Sequence, residues 1–265
     1  MKGTMGEKLL STVVNSIEYH EKLKQYEMKT IKLLIFSTVT FFAVTGCVDD
    51  LIIRGNGIAA TEGRITPDFE KVKSEGAFDV HITKGDEFEV VVNAESNLLQ
   101  YIETHVKNNT LRIYTSGLHS LNNRLPMEVY VTTPYLEGIT QSGSGTISTG
   151  YFTAEHFDAV ISGSGTIETY VEAASVDAVI SGSGALTISG EAEVADFLVS
   201  GSGEMDAWDL DLHDCDATIS GSGDIWIQVS HYLKAAISGS GNVFYSGSPS
   251  IETHISGSGD IIRQN

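Results

Sequence analysis

The chain is 265 residues long, with 16 Lys and Arg against 35 Asp and Glu and a formal charge of -19. That length fits one extended domain or one domain with an appendage. Such an acidic surface is a poor partner for nucleic acid, anionic lipid or anionic polysaccharide.

Residues 1–27 are polar and charged and read as an upstream misassigned start, because a secretory signal begins at Met28. Residues 28–46 carry Lys29 and Lys32, then an uncharged apolar run from Leu33 to Val44, then small residues before Cys47, which is the order of a signal peptide. The run is too short to span a membrane. Val44, Thr45, Gly46 and Cys47 resemble the lipobox of bacterial lipoproteins, in which the cysteine is lipidated and becomes the mature N-terminus. Cys47 is therefore the expected lipidation site and the membrane the expected partner of that lipid. "CVDD" resembles the export signals of Bacteroidetes surface lipoproteins, so the outer membrane or cell surface is the expected location, with a periplasm-facing orientation as the alternative. Residues 47–64 are a tether and entry segment.

Residues 65–134 alternate apolar and polar positions. Phe78, Val80, Ile82 and Phe88, Val90, Val92 flank the turn "TKGDE", and Val106 and Leu111 flank "KNNT", so hairpins are expected. This β region should cap the N-terminal end of a repeat array that occupies the rest of the chain.

From residue 135 to 265 the tetrapeptide SGSG begins at Ser142, Ser162, Ser181, Ser200, Ser220, Ser238 and Ser256. A flexible linker keeps no such period, near twenty residues; a solenoid does. The residue before each corner is apolar from Ile161 onward (Ile161, Ile180, Val199, Ile219, Ile237, Ile255), with Gln141 the exception, and the second residue after each corner is apolar throughout (Ile147, Ile167, Leu186, Met205, Ile225, Val243, Ile261). The period of two around these positions marks strands with one buried face. The fold class expected is all-β: a parallel β-helix-like solenoid of about seven two-sheet coils, stacked about 4.8 Å apart. Its corners are Gly143, Gly145, Gly163, Gly165, Gly182, Gly184, Gly201, Gly203, Gly221, Gly223, Gly239, Gly241, Gly257 and Gly259, with both glycines of each pair expected to point inward and the serines outward. A phosphate cradle is excluded, because no helical pattern follows any copy.

Two outward columns stand out. Asp158, Asp177, Asp196 and Asp216 fall on successive coils and offer a weak candidate calcium ladder, the only place for an ion that the pattern suggests. The third residue after each corner reads Ser148, Glu168, Thr187, Asp206, Trp226, Phe244 and Ile262, turning from polar to apolar. Trp226, Phe244 and Ile262 are the candidate binding patch, for self-association through the C-terminal coils or for a glycan or protein ligand; a one-residue slip of the alternation would instead bury them. Cys215 falls in an inward apolar column and reads as a small hydrophobe.

"GNGIAATEGRITPDFEKVKSEGAFDVHITKG", "VVVNAESNLLQYIETHVKNNTLRI", "VYVTTPYLEGITQSGSG" and the recurrent corners resemble the autotransporter-adhesin head GIN domain family of Bacteroidetes-type bacteria, from Gly55 to about Ile262. The resemblance implies a β-helix-like domain of two sheets joined by GSG turns, without assigned catalytic residues, and an adhesive role. No heptad stalk or C-terminal barrel pattern is present, so the Cys47 lipid is expected to anchor the chain.

Catalytic chemistry finds little support. A lyase for acidic sugars wants basic side chains, and from residue 125 onward only Lys234 and Arg263 are available. No GxSxG elbow occurs, the eight histidines show neither HxxxH nor HxH spacing, and no pair among the many carboxylates is singled out for glycoside hydrolysis. The reading is a non-enzymatic cell-envelope lipoprotein that acts as a binding or adhesion module and needs no cofactor. The alternatives are a carbohydrate-active β-helix hydrolase and an envelope structural or assembly protein.

Overall fold

The computed structural model describes residues 51–264, and the chain from Ile52 onward forms one compact unit. The expected lipidation site Cys47, the expected signal peptide over residues 28–46 and residues 1–27 lie outside the described residues.

The repeat builds five long strands, β11 (Thr146–Gly163), β12 (Thr166–Gly182), β13 (Ala185–Gly201), β14 (Glu204–Gly221) and β15 (Asp224–Gly239), preceded by β10 (Gly138–Gly143) and followed by β16 (Val243–Ser246), β17 (Ser250–Gly257) and β18 (Ile261–Arg263). Each long strand makes one face of a coil, bends, and makes the other. In β12, Ile167, Thr169 and Val171 are buried, then Val176, Ala178 and Ile180, so the inward parity switches between 171 and 176. That switch is a second corner opposite SGSG. The β-branched side chains at these inward positions suit a half-buried pleated surface.

Neighbouring coils pair in parallel with like residues superposed. Ile167 lies beside Leu186, which lies beside Met205 and then Ile225; Ile161 lies beside Ile180, Val199, Ile219 and Ile237. The core is thus a set of apolar ladders running along the axis, with Phe152, Phe157 and Phe197 fully buried among them. Cys215 stands in one of these ladders between Ala195 and Leu233 and is buried; burial, ahead of the Asp216 and Asp196 charges, pushes its thiol far up, so it is unreactive. β17 is the outermost strand of its sheet, and its inward-column residues Ile251 and Ile255 are exposed.

The seven corners share one geometry. The first glycine of each has φ between +123 and +141, a conformation closed to other L residues. It is only half-buried, except for the exposed Gly257, whereas the second is fully buried. The inward placement expected of both glycines therefore describes the second alone. The first is required by its positive φ and by its neighbour: a Cβ on Gly163 would lie 2.7 Å from the Gly143 carbonyl oxygen. A Cβ on Gly165 would lie 2.6 Å from the Gly145 oxygen. Those carbonyls accept the corner amides of the next coil, Ser164 N–H to Gly143 at 3.0 Å and Thr166 N–H to Gly145 at 3.0 Å, so the backbone ladder continues around the bend.

The N-terminal half extends both sheets. Its strands are β1 (Ile52–Arg54), β2 (Ala59–Arg64), β3 (Lys71–Gly76), β4 (Asp79–Lys84), β5 (Glu89–Glu95), β6 (Ile102–Lys107), β7 (Thr110–Thr115), β8 (Ser120–Asn122) and β9 (Glu128–Thr133). β3 pairs in parallel with β10 and β4 with β11, placing Gly76, φ +152, in register with Gly143. Ser74 to Phe78 thus form a corner without the SGSG letters, Phe78 standing where later coils have their second glycine. β7 and β9 continue the two sheets in parallel, and antiparallel β6, β5 and β2 finish them. β6 and β7 form the hairpin around "KNNT". β4 and β5, on either side of "TKGDE", have β9 laid between them. Buried Glu95 ties this end together by accepting the backbone N–H groups of Gly57, Arg124 and Leu125.

Replacing the first glycine of an internal corner is expected to be costly. Gly163→Ala should lower stability by about 1–3 kcal/mol from the backbone strain alone, with the overlap on Gly143 adding to it. Ser164→Ala, at an exposed position of the same corner, should change the denaturation midpoint little, and equal midpoints for the two variants would contradict this account of the corner.

Candidate functional site

The outward column after the corners is in register from end to end. Ser148 pairs with Glu168, Glu168 with Thr187, Thr187 with Asp206, Asp206 with Trp226, Trp226 with Phe244 and Phe244 with Ile262. Ile225 and Ile227 on either side of Trp226 are fully buried, so the alternation does not slip there. Trp226 and Phe244 are half-exposed and stack with centroids 5.2 Å apart and planes 8° from parallel. Beside them opens a cleft of about 380 Å³ lined by Thr187, Glu204, Asp206, Trp208, Asp209 and Trp226. Trp208 belongs to no column, so the sequence pattern does not single it out. It sits in a bulge, where the pairing of β14 with β15 jumps from Ala207 to Asp211, and Asp206 Oδ1 accepts the backbone N–H of Trp208 at 3.1 Å.

A second, larger concavity of about 900 Å³ runs along the second corners. Its floor is the ladder Ala154, Ala173, Ala192, Leu212, Val229, and an outward ladder of Glu172, Glu191, Asp211 and Gln228 lies beside it. Small side chains at a bend leave the groove open; the acids give it a negative rim. Tyr151, its ring tilted 56° against that of Tyr170, donates its hydroxyl to Glu172 at 2.7 Å.

The aspartate column is likewise in register, Asp158 beside Asp177, Asp196 and Asp216, and then Lys234. Both its ends carry a lysine. Lys234 donates to Asp216 at 2.9 Å. Lys71 reaches Asp158 across Gly138, which lies between them in the ladder and has no side chain to obstruct it. Burial works to raise the Asp158 carboxyl, but the hydrogen bond and charge of Lys71, with His156, outweigh it and hold the group below its usual range. Asp196 has no such partner among the described residues. Burial first, then the charges of Asp177 and Asp216, push it up against the weaker pull of Lys234.

The histidines are arranged by the coil period. His213 and His231 are 18 residues apart, the same interval that separates Ser220 from Ser238, and their rings stack at 4.5 Å. A search for short metal spacings passes over them, whereas applying the repeat length to the histidines would have found the pair. His156 stands beside the aspartate column, its Nε2 2.9 Å from Asp158 and 3.7 Å from Asp177.

A family model described as "Putative auto-transporter adhesin, head GIN domain" matches residues 68–249. Among solved structures, a putative adhesin from Bacteroides fragilis superposes with a TM-score of 0.75 at 23% identity, covering 80% of this chain and 100% of that one. A putative lipid binding protein from Parabacteroides distasonis gives a TM-score of 0.69 at 25% identity, covering 81% and 100%. A putative adhesin from Parabacteroides merdae gives 0.66 at 20% identity, covering 81% and 99%. Comparison with curated proteins gives no match.

Asp158 and Asp196 should depend on pH with opposite sign. Asp158, depressed in the folded state, contributes stability that is present above the ordinary carboxylate pKa and lost as pH falls through its folded value. Asp196, raised in the folded state, costs stability as pH rises through its folded value. At pH 7, Asp158→Asn should destabilise and Asp196→Asn should stabilise, each by about 0.5 kcal/mol given their partial exposure. The gain from Asp196→Asn should vanish by about pH 3. Thermal melts of the two variants check the signs, and a loss of stability in both would remove this reading of the column.

Proposed function

The chain belongs to the head GIN domain family, and on that premise we propose that it is a non-enzymatic binding module displayed on the cell envelope, with Trp208, Trp226 and Phe244 as its ligand-binding face. The ligand class proposed is a neutral glycan. The observation that carries this is the in-register, half-exposed Trp226–Phe244 stack beside the Trp208 cleft. Phe244 covers one face of Trp226 and braces it, while the aromatic surface that Trp208 and Trp226 turn to the cleft is available to the C–H groups of a sugar ring, and Glu204, Asp206 and Asp209 at the cleft can accept hydrogen bonds from its hydroxyls. The same carboxylates disfavour an anionic polysaccharide. They also favour a hydroxyl-rich ligand over the lipid named for the Parabacteroides distasonis relative. The aromatics stand on a hydrogen-bonded sheet, so little ordering entropy is lost on binding.

A glycan and matrix-protein screen with the wild-type chain and the Trp226→Ser, Phe244→Ser double variant tests the reading, with hydrolysis assays on the same glycans. The expected result is retained neutral-glycan binding in the wild type, weakened about tenfold or more in the variant, with only a modest stability loss. Cleavage of a bound glycan would move the assignment to a hydrolase, and a change of sedimentation coefficient in the variant without any glycan binding would move it to self-association.

Display requires an anchor, and the reading assigns it to a lipid on Cys47. Mass spectrometry of the mature protein should find translation from Met28 and a diacylated Cys47 at the N-terminus. Recovery of Cys47→Ala in the same membrane fraction would contradict this.

A further inference from the structure

We propose that His213, Asp214 and His231 form a surface site for a divalent transition-metal ion of the zinc class. The inference is independent of the glycan-binding reading, since these residues stand near the second corner, away from the aromatic column.

The site is made by a bulge. β14 and β15 pair at Leu212 with Val229 and again at Asp214 with Tyr232, so His213 alone faces both Ser230 and His231. The extra residue is accommodated without leaving a carbonyl idle, because Ser230 Oγ donates to the Leu212 oxygen at 3.0 Å. Bulges of this kind re-aim side chains, and here the result is convergence on one carboxylate. Asp214 Oδ1 lies 2.7 Å from His231 Nδ1 and 3.1 Å from His213 Nδ1. One ligand atom from each of the three residues falls within 4.8 Å of the other two.

Two imidazoles and one carboxylate are the donor set of a borderline metal ion, bound at about 2.0–2.2 Å. Seating the ion needs only small rotations of side chains whose exposures are 54% for His213, 66% for His231 and 35% for Asp214, and it displaces any proton carried on the two Nδ1 atoms. A hard ion such as calcium prefers an all-oxygen set and fits poorly. Three protein ligands leave a coordination position open. His213 also lines the second-corner groove, together with Asp211, Gln228 and Ser230, so a donor atom of a groove ligand could fill that position.

The second cluster of this type, His156 with Asp158 and Asp177, is a weaker candidate because Lys71 already occupies Asp158.

Calorimetric titration of the full chain with zinc chloride tests the proposal. One saturable step per chain is expected, unaffected by millimolar calcium. His213→Gln, His231→Gln and Asp214→Asn should each weaken it by at least about tenfold. His156→Gln and Asp177→Asn should leave it unchanged. Because both imidazoles are exposed, the two histidine variants should melt near the wild-type temperature without zinc, and only the wild type should gain thermal stability when zinc is added. No saturable step in the wild type would overturn the proposal and leave a hydrogen-bonded trio. Unchanged affinity in the His213→Gln, His231→Gln double variant would overturn it equally, by placing the metal elsewhere.

Discussion

The close approach of glycine to glycine across successive corners sets the terms for the rest of this protein. Each corner turns the chain back within four residues, and its amides reach the carbonyls of the preceding corner. A Cβ at either glycine would occupy the space of those carbonyls. The backbone hydrogen bonds therefore cannot continue around the bend unless glycine recurs at the same two places in every coil from Gly143 onward; only at the first corner does Phe78 take the second place. Once it does, the coils stack in register, and the apolar ladders of the core arise from that register rather than from any separate packing device.

Register also means that outward residues meet their own kind. A ladder of valines or isoleucines gains from this, whereas a ladder of aspartates repels. Lys71 and Lys234 neutralise the two ends of the aspartate column, and Gly138 is the means by which Lys71 reaches it. The middle of the column stays uncompensated, which is why Asp196 is pushed up while Asp158 is held down. The same geometry that makes acids repel makes aromatics stack: Trp226 and Phe244 lie nearly parallel because their strands place them one above the other.

How much of this was legible in the sequence depends on whether a feature obeys the repeat. The all-β solenoid, its corners and the apolar columns are periodic and could be read directly from SGSG spacing. The coil at Gly76 was hidden because Phe78 replaces the second glycine and Glu75 and Ala77 replace the serines, although the backbone does the same thing there. The insertion of β9 between β4 and β5 is a long-range pairing that no local turn pattern encodes. At the candidate site, Trp226, Phe244 and Ile262 were visible as a column, and the His213–His231 pair is visible once the 18-residue coil period is applied to the histidines; Trp208 was not, since it depends on where a bulge falls.

That last dependence explains where function can reside in such a fold. The corner spacings vary between 18 and 20 residues, yet the segments leading into each corner pair without a break, Val194 to Gly201 against Asp214 to Gly221 for example. Every register shift falls instead after a corner or at the second bend: between Ser148 and Tyr151, Thr187 and Gly190, Ala207 and Asp211, and Leu212 and Asp214. The glycine side admits no insertion, because an extra residue would pull its carbonyl out of reach of the next corner. The opposite side makes such a contact only at single places, Gly190 on Val171 and Gly247 on Val229, rather than in every coil, and it absorbs every change in length. Side chains that stand outside the coil-to-coil register can appear only there, and Trp208 and His231 both do. An outward column can change its residues from coil to coil, as the one through Trp226 and Phe244 does, but it keeps them in line; the bulged side is the part free to re-aim a side chain out of that line.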